Sequence, residues 1–237
     1  MTVTTTSLTR AAGVAAAAAG AIFIGVQIGH PQLNLTSITT TDVFVRDSFK
    51  VLMCVLAVAG ITGMYLSQVR RNGVLGLIGY LVSAAGYLSI MCTTFLAAFV
   101  APTLVGTNPG FVKDVIALAT SRGTVTGDVG ALGTVWKVQS VLYLAGGVLF
   151  GIALFRAHVL ARWATVLLAV SGLLSAALSL MPDAFYRLLA YPNGVAMIGL
   201  GVSLWLSQRE GSSVETSSVQ TSSVQTSPSA ADVATVR

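Results

Sequence analysis

The chain has 237 residues, of which 54% are hydrophobic and only 9% charged, with a mean hydropathy of +0.83 and a formal net charge of +5. Soluble domains carry about 25% charged residues, so the composition excludes an ordinary water-soluble globule and points to lipid as the solvent. The basic residues flank apolar segments, as the positive-inside bias describes, and no nucleic-acid partner is expected.

Six apolar stretches follow one another along the chain: residues 11–29, 51–67, 74–101, 135–155, 160–181 and 184–207, none with a charge near its centre. A bilayer core about 30 Å thick is crossed by ~20 helical residues. The fold class expected is therefore all-α, a polytopic transmembrane bundle of six helices over residues 11–207, preceded by a short N-terminal segment, 1–10. The first stretch begins like a signal peptide, with Arg10 and an alanine run at 15–19. Apolar residues continue past that run to Val26, further than a signal core of about 7–15 residues extends, so a retained helix is expected.

Between the first two stretches lies a threonine-rich loop, 30–46. The third stretch carries Gly76, Gly79, Ser83 and Gly86 at three- and four-residue steps, a small-residue face that lets another backbone approach. Gly25/Gly29, Gly147/Gly151 and Gly172/Ala176 form further small-xxx-small pairs. The connection 102–134 is long, with glycines flanking an apolar run at 111–120 that is expected to form an interfacial helix or to pack over the bundle. In the last stretch Tyr191-Pro192-Asn193-Gly194 marks either a proline kink or a break between two half-helices. Beyond 207 the sequence turns to SSVET, SSVQT, SSVQT and Pro228. Such a low-complexity polar segment has too little apolar surface to fold alone, so 208–237 is expected to be a disordered tail.

Alternate connections differ in charge. One side holds Arg10, Arg70, Arg71, Arg156, Arg162 and Arg209, and its short loops have no acid. The other mixes Arg46, Lys50, Lys113, Arg122, Lys137 and Arg187 with Asp42, Asp47, Asp114, Asp128 and Asp183. By the positive-inside rule both termini are cytoplasmic, in a multi-pass protein of the inner (plasma) membrane. Trp136, Trp163 and Trp205 fall at helix ends, as an aromatic belt would place them.

No Asp, Glu, Lys or Arg is expected at mid-depth, where such groups serve proton relays and ion pathways, and the carboxylate pairs of magnesium–diphosphate chemistry are missing. Cys54 and Cys92 lie in apolar segments without CxxC spacing or a neighbouring histidine, which gives a zinc site no support. They read as apolar fillers, with a disulfide between adjacent helices as the other reading. His30 and His158 are expected at opposite membrane faces, so they cannot share a haem. No cofactor and no metal are expected.

The remaining chemistry gathers on the outward side. His30 and Pro31 end the first helix, Asp47 and Lys50 begin the second, Lys137 and Gln139 the fourth, Asp183 and Arg187 the sixth. Their plain roles are snorkelling, capping and surface pairing. Together they could instead line an outward vestibule for a small amphipathic ligand, binding through His30, Asp47, Lys50, Lys137, Gln139, Asp183 and Arg187.

Several landmarks carry a resemblance: His30-Pro31, Gly63-Met64-Tyr65-Leu66, Phe99-Val100-Ala101-Pro102, Pro109-Gly110-Phe111, Gly151-Ile152-Ala153-Leu154-Phe155-Arg156-Ala157, Arg162-Trp163 and Leu204-Trp205. Over residues 11–207 the chain resembles small six-span integral membrane proteins of actinobacteria without an assigned function. The resemblance implies the bundle and supplies no catalytic residue. The expected function is thus that of an integral membrane protein that contacts membrane lipids and accommodates a lipid-like small molecule, or serves as an accessory subunit. The alternative is a membrane-embedded enzyme acting on a lipid, with Asp47, Asp183 or His30 as acid or base. The sequence leaves the oligomeric state open.

Overall fold

A computed structural model describes residues 4–178 and 190–225, with the backbone alone for 175–178 and 208–225. Among these residues the chain is all-helical, without a strand. The helices are α1 (Thr5–Gly25), α2 (Thr41–Leu66), α3 (Val69–Phe95), α4 (Pro109–Thr120), α5 (Leu132–Ala157), α6 (Arg162–Leu178) and α7 (Ala190–Gln225). A π-helical turn (Leu96–Val100) and a 3₁₀ turn (Ala101–Leu104) prolong α3.

Among the described residues, four helical stretches are long and apolar enough to cross a membrane: Thr5–Gly25, Thr41–Leu66, Val69–Leu104 and Leu132–Ala157. This is a membrane protein. A shorter apolar helix, Arg162–Leu174, follows. Each of α1, α2, α3, α5, α6 and α7 packs on the next, and α7 returns to α1, so the six close into a ring. Neighbours run antiparallel, as the pairs Ala16 with Gly60, Gly79 with Phe150, Gly151 with Ala169 and Ser171 with Asn193 show. Side chains such as Met64, Phe150, Leu154, Met197 and Leu200 fill the middle. Leu52, Leu81, Val141, Val170 and Val202 are exposed on the outside, an arrangement suited to lipid rather than water.

Close backbone approach holds the ring. A Cβ on Gly13 would stand 2.7 Å from the Gly201 carbonyl, and one on Gly194 would stand 2.9 Å from the Gly20 carbonyl. Two glycines on each helix, seven residues apart, thus seat α1 against α7. Of the four residues expected to form one small-residue face, Gly79, Ser83 and Gly86 meet α5, where Cβ atoms on Gly79 and Gly146 would each stand 2.6 Å from backbone of the partner helix, whereas a Cβ on Gly76 would meet the Asn72 side chain of its own helix. Gly151 and Gly172 likewise face the α5–α6 seam, whereas Gly25 has nothing within 4 Å, so the Gly25/Gly29 pair is not a packing motif.

Local signals explain the helix ends. The Thr4 side chain caps α1 in a reciprocal box with Ser7, and Thr40 caps α2 with Asp42 in its first turn. Gly73, at φ 56°, separates the short turn after Gln68 from the body of α3, a conformation glycine adopts freely. His158 ends α5 in the left-handed region. From Ala190 on the backbone is helical through Pro192, Asn193 and Gly194, so no break follows the proline; the residues that precede Ala190 lie outside the described ones. The backbone remains helical to Gln225, further than the sequence reading carries it. A helix already nucleated by packing propagates cheaply into a polar segment, although without packing such an extension is marginal.

The 111–120 run forms α4, with Asn108 as its cap and Pro109 in its first turn. Val112 and Val115 pack with Ile38, Ala101, Phe111 and Trp136 into a second small core over one end of the ring, the capped end. The opposite end carries Arg10, Arg70, Arg71, Arg156 and Arg162 and is called the basic end.

Candidate functional site

Three of the seven expected site residues meet at the capped end. Lys50 follows Asp47 by three residues on α2, so both side chains share one helical face. The Lys50 ammonium donates to Asp47 Oδ1 at 2.7 Å and to His30 Nε2 at 3.0 Å. An ammonium can only donate, so Nε2 accepts; the ring proton therefore sits on Nδ1, which donates to the Pro31 carbonyl at 2.8 Å. The Asp47 side chain is 4% exposed and that of Lys50 22%. The result is a largely buried, linear polar cluster, Asp47–Lys50–His30, at the rim of an apolar ring.

Arg46 positions His30, a role the sequence reading missed. Its Nη1 donates to the carbonyls of Val26 (3.2 Å) and Ile28 (2.7 Å), while Nε pairs with Asp42 at 2.9 Å. The guanidinium thereby satisfies carbonyls that the end of α1 leaves open and fixes the turn leading into His30. The i,i+4 spacing of Asp42 and Arg46 was the available signal.

Two further expected residues, Gln139 and Lys137, do not join the cluster. Gln139 turns to α3, its Oε1 accepting from Thr93 Oγ1 at 2.7 Å. Lys137 is exposed in the first turns of α5. Asp183 and Arg187 lie outside the described residues. His158 stands at the basic end, remote from His30, beside Phe155 and next to the Arg162 guanidinium that covers the Phe155 ring at 4.4 Å. Among the described residues no group of His, Cys, Asp and Glu has the makings of a metal site. Cys54, buried, and Cys92, exposed, are both free thiols.

Asp114 of α4 closes the cap. It is 3% exposed, and its carboxylate accepts from the Thr126 N–H (2.9 Å), the Gly127 N–H (2.8 Å) and the Thr126 hydroxyl (3.4 Å). These donors, the Thr126 amide first, hold its pKa below the ordinary carboxylate value. In the sequence Asp114 reads only as a loop charge, because its partners lie twelve and thirteen residues away.

A second polar group sits deep inside the ring. Asn193, 3% exposed, donates from Nδ2 to the Tyr87 hydroxyl at 3.4 Å, and Ser171 Oγ lies 3.3 Å from Asn193 Oδ1. Tyr143 meets the Tyr87 ring edge to face, with centroids 5.9 Å apart.

Comparison with known proteins adds no relative: no family model matches the chain, and neither the curated proteins nor the solved structures contain a match.

Proposed function

We propose that this is a multi-pass protein of the inner (plasma) membrane with six spans and both termini cytoplasmic, which binds a lipid-like small molecule at its outward end, alone or as an accessory subunit. The short loops at the basic end, free of acidic residues, support this orientation. The apolar stretches 160–181 and 184–207 and the closure of the ring by α6 and α7 support the fifth and sixth spans. The resemblance to small actinobacterial six-span proteins belongs to the same proposal, as does the disordered cytoplasmic tail over 208–237, of which 226–237 lie outside the described residues.

One observation carries the ligand reading: the buried Asp47–Lys50–His30 chain. A buried ion pair adds little stability beyond what an apolar pair would give, and ionisable groups within a membrane-embedded bundle mark functional sites by default. Lys50 retains one ammonium hydrogen and Asp47 a second carboxylate oxygen beyond the described hydrogen bonds, enough to engage a hydroxyl or zwitterionic headgroup. The same geometry favours binding over acid–base catalysis, because the His30 Nε2 lone pair and the Asp47 carboxylate are both engaged by the ammonium.

Purification in mild detergent followed by native mass spectrometry tests the reading. A specific amphipathic species should accompany the wild type and be lost from Asp47→Asn and Lys50→Met proteins that still elute as folded bundles. The same lipids in all three, in proportion to the bulk membrane, would overturn it.

A further inference from the structure

Near mid-depth the ring encloses a cavity of about 10 Å³, lined by Ser83, Tyr87, Tyr143, Gly147, Ser171 and Asn193 together with apolar side chains. At 1.5 Å per residue, Tyr143 stands roughly 16 Å along α5 from Leu132 and Ser171 roughly 14 Å along α6 from Arg162, so neither end of the bundle is near. The polar lining comes from four helices: α3, α5, α6 and α7.

Among the described residues, the hydrogen bonds around this cavity do not balance. Ser171 has one hydroxyl hydrogen but faces two acceptors, the Leu168 carbonyl at 2.8 Å and Asn193 Oδ1 at 3.3 Å. Asn193 gives one amide hydrogen to Tyr87. Among the described residues, the second amide hydrogen of Asn193 and the hydroxyl hydrogens of Tyr87 and Tyr143 find no acceptor. Among the described residues, three donors on side chains that line one small cavity therefore lack acceptors, while Asn193 Oδ1 has lone-pair capacity to spare. In a membrane interior, where bulk water cannot repair the deficit, each unmade bond is costly.

We propose that this cavity is a binding site for a single water molecule. A neutral oxygen that accepts hydrogens from Asn193 and one tyrosine hydroxyl and returns one to Asn193 Oδ1 meets two of these three needs, and a cavity of this size holds about one water with two to four partners. The molecule serves as a polar joint between Asn193 of α7 and a tyrosine of α3 or α5 within the ring. It shares no residue with the Asp47–Lys50–His30 cluster.

The test uses the full chain in nanodiscs of deuterated lipid, with asparagine labelled with nitrogen-15. The Asn193 side-chain amide, assigned by its loss in Asn193→Leu, should show cross-relaxation to a proton at the water frequency. Gly147→Ala should abolish that signal. Its added Cβ meets the Leu168 carbonyl at 3.5 Å and Gly172 Cα at 3.8 Å, ordinary contacts that let the ring close while the methyl takes the water's space. Tyr143→Phe removes a donor without adding volume and should lower the signal severalfold, which decides the matter even where Gly147→Ala fails to fold. No water signal in the folded wild type would overturn the proposal, whether or not a lipid signal appears when protonated lipid is restored. A signal that both variants leave at wild-type strength would overturn it equally.

Discussion

Replacing Gly146 with alanine pushes a methyl group against the backbone of α3. The new carbon would stand 2.6 Å from Ser83 Cα and 2.7 Å from Ser83 N, where 3.4 Å is the lower edge of ordinary van der Waals contact. Backbone cannot rotate away as a side chain can, so the α3–α5 seam must open by several tenths of an ångström along its length. Overpacking of this kind costs about 1–3 kcal/mol, and the absence of a soft neighbour places Gly146→Ala towards the upper end. Alanine also favours a helix over glycine by up to about 1 kcal/mol, which a control on the same helix removes. Gly133→Ala is that control, since nothing lies within 4 Å of its Cβ position. Heating detergent-solubilised protein and measuring the folded fraction by size exclusion should place Gly146→Ala about 5–10 °C below Gly133→Ala, at roughly 2–4 °C per kcal/mol for a chain of this size. Melting points within about 2 °C of each other would refute the close-approach account of the ring, since that gap corresponds to at most ~1 kcal/mol.

Lys50→Met leaves the buried Asp47 carboxylate without its cation and should lower stability by up to about 3 kcal/mol, whereas Asp47→Asn combined with Lys50→Met should recover most of it, because a buried pair stabilises little over neutral packing; thermal melts of the three proteins check this. For Asp114 the folded pKa is lowered, so its contribution is present above the unfolded value of about 3.9 and is lost as pH falls through the folded value. Protection factors for the Thr126 and Gly127 amides should therefore hold steady at neutral and mildly acidic pH and collapse only in stronger acid, while Asp114→Asn should weaken them throughout. Deleting 211–237 should leave insertion and melting temperature unchanged, and a marked loss of folded protein would show that this stretch docks on the bundle.

The apolar stretches announced the transmembrane helices because a bilayer sets a length that composition must match. Their ends were less legible. Helix α2 starts at Thr41, well before the apolar run at 51, because Thr40 can cap it and polar residues remain helical where one face is buried. The α3–α5 seam was visible as Gly79, Ser83 and Gly86 at helical steps, but the α1–α7 seam was not. Its glycines, Gly13 and Gly20 against Gly194 and Gly201, are seven apart on two helices at opposite ends of the chain, and only closure of the ring brings them together. Asp47, Lys50 and His30 were visible only as outward polar residues at helix ends; that the Lys50 ammonium joins the other two shows only in the fold. Gln139 was placed at the right depth on the wrong partner, since residue spacing does not say which neighbour a helix face meets. The Tyr87–Asn193–Ser171 group escaped notice because each residue alone looks like a routine polar group in a span, and it is chemistry only once three helices converge.

The central claim is a ring of membrane-crossing helices with its basic end in the cytoplasm, and cysteine accessibility in intact cells tests it most directly. In a background of Cys54→Ala and Cys92→Ala, single cysteines belong at Val69, 41% exposed beside Arg70 and Arg71, and at Thr124, exposed in the capped end; Asn72, only 5% exposed, is too buried to report. Thr124→Cys should react with an impermeant maleimide in intact cells, and Val69→Cys only after the membrane is opened. Labelling of Val69→Cys in intact cells, with Thr124→Cys protected until lysis, would contradict the account.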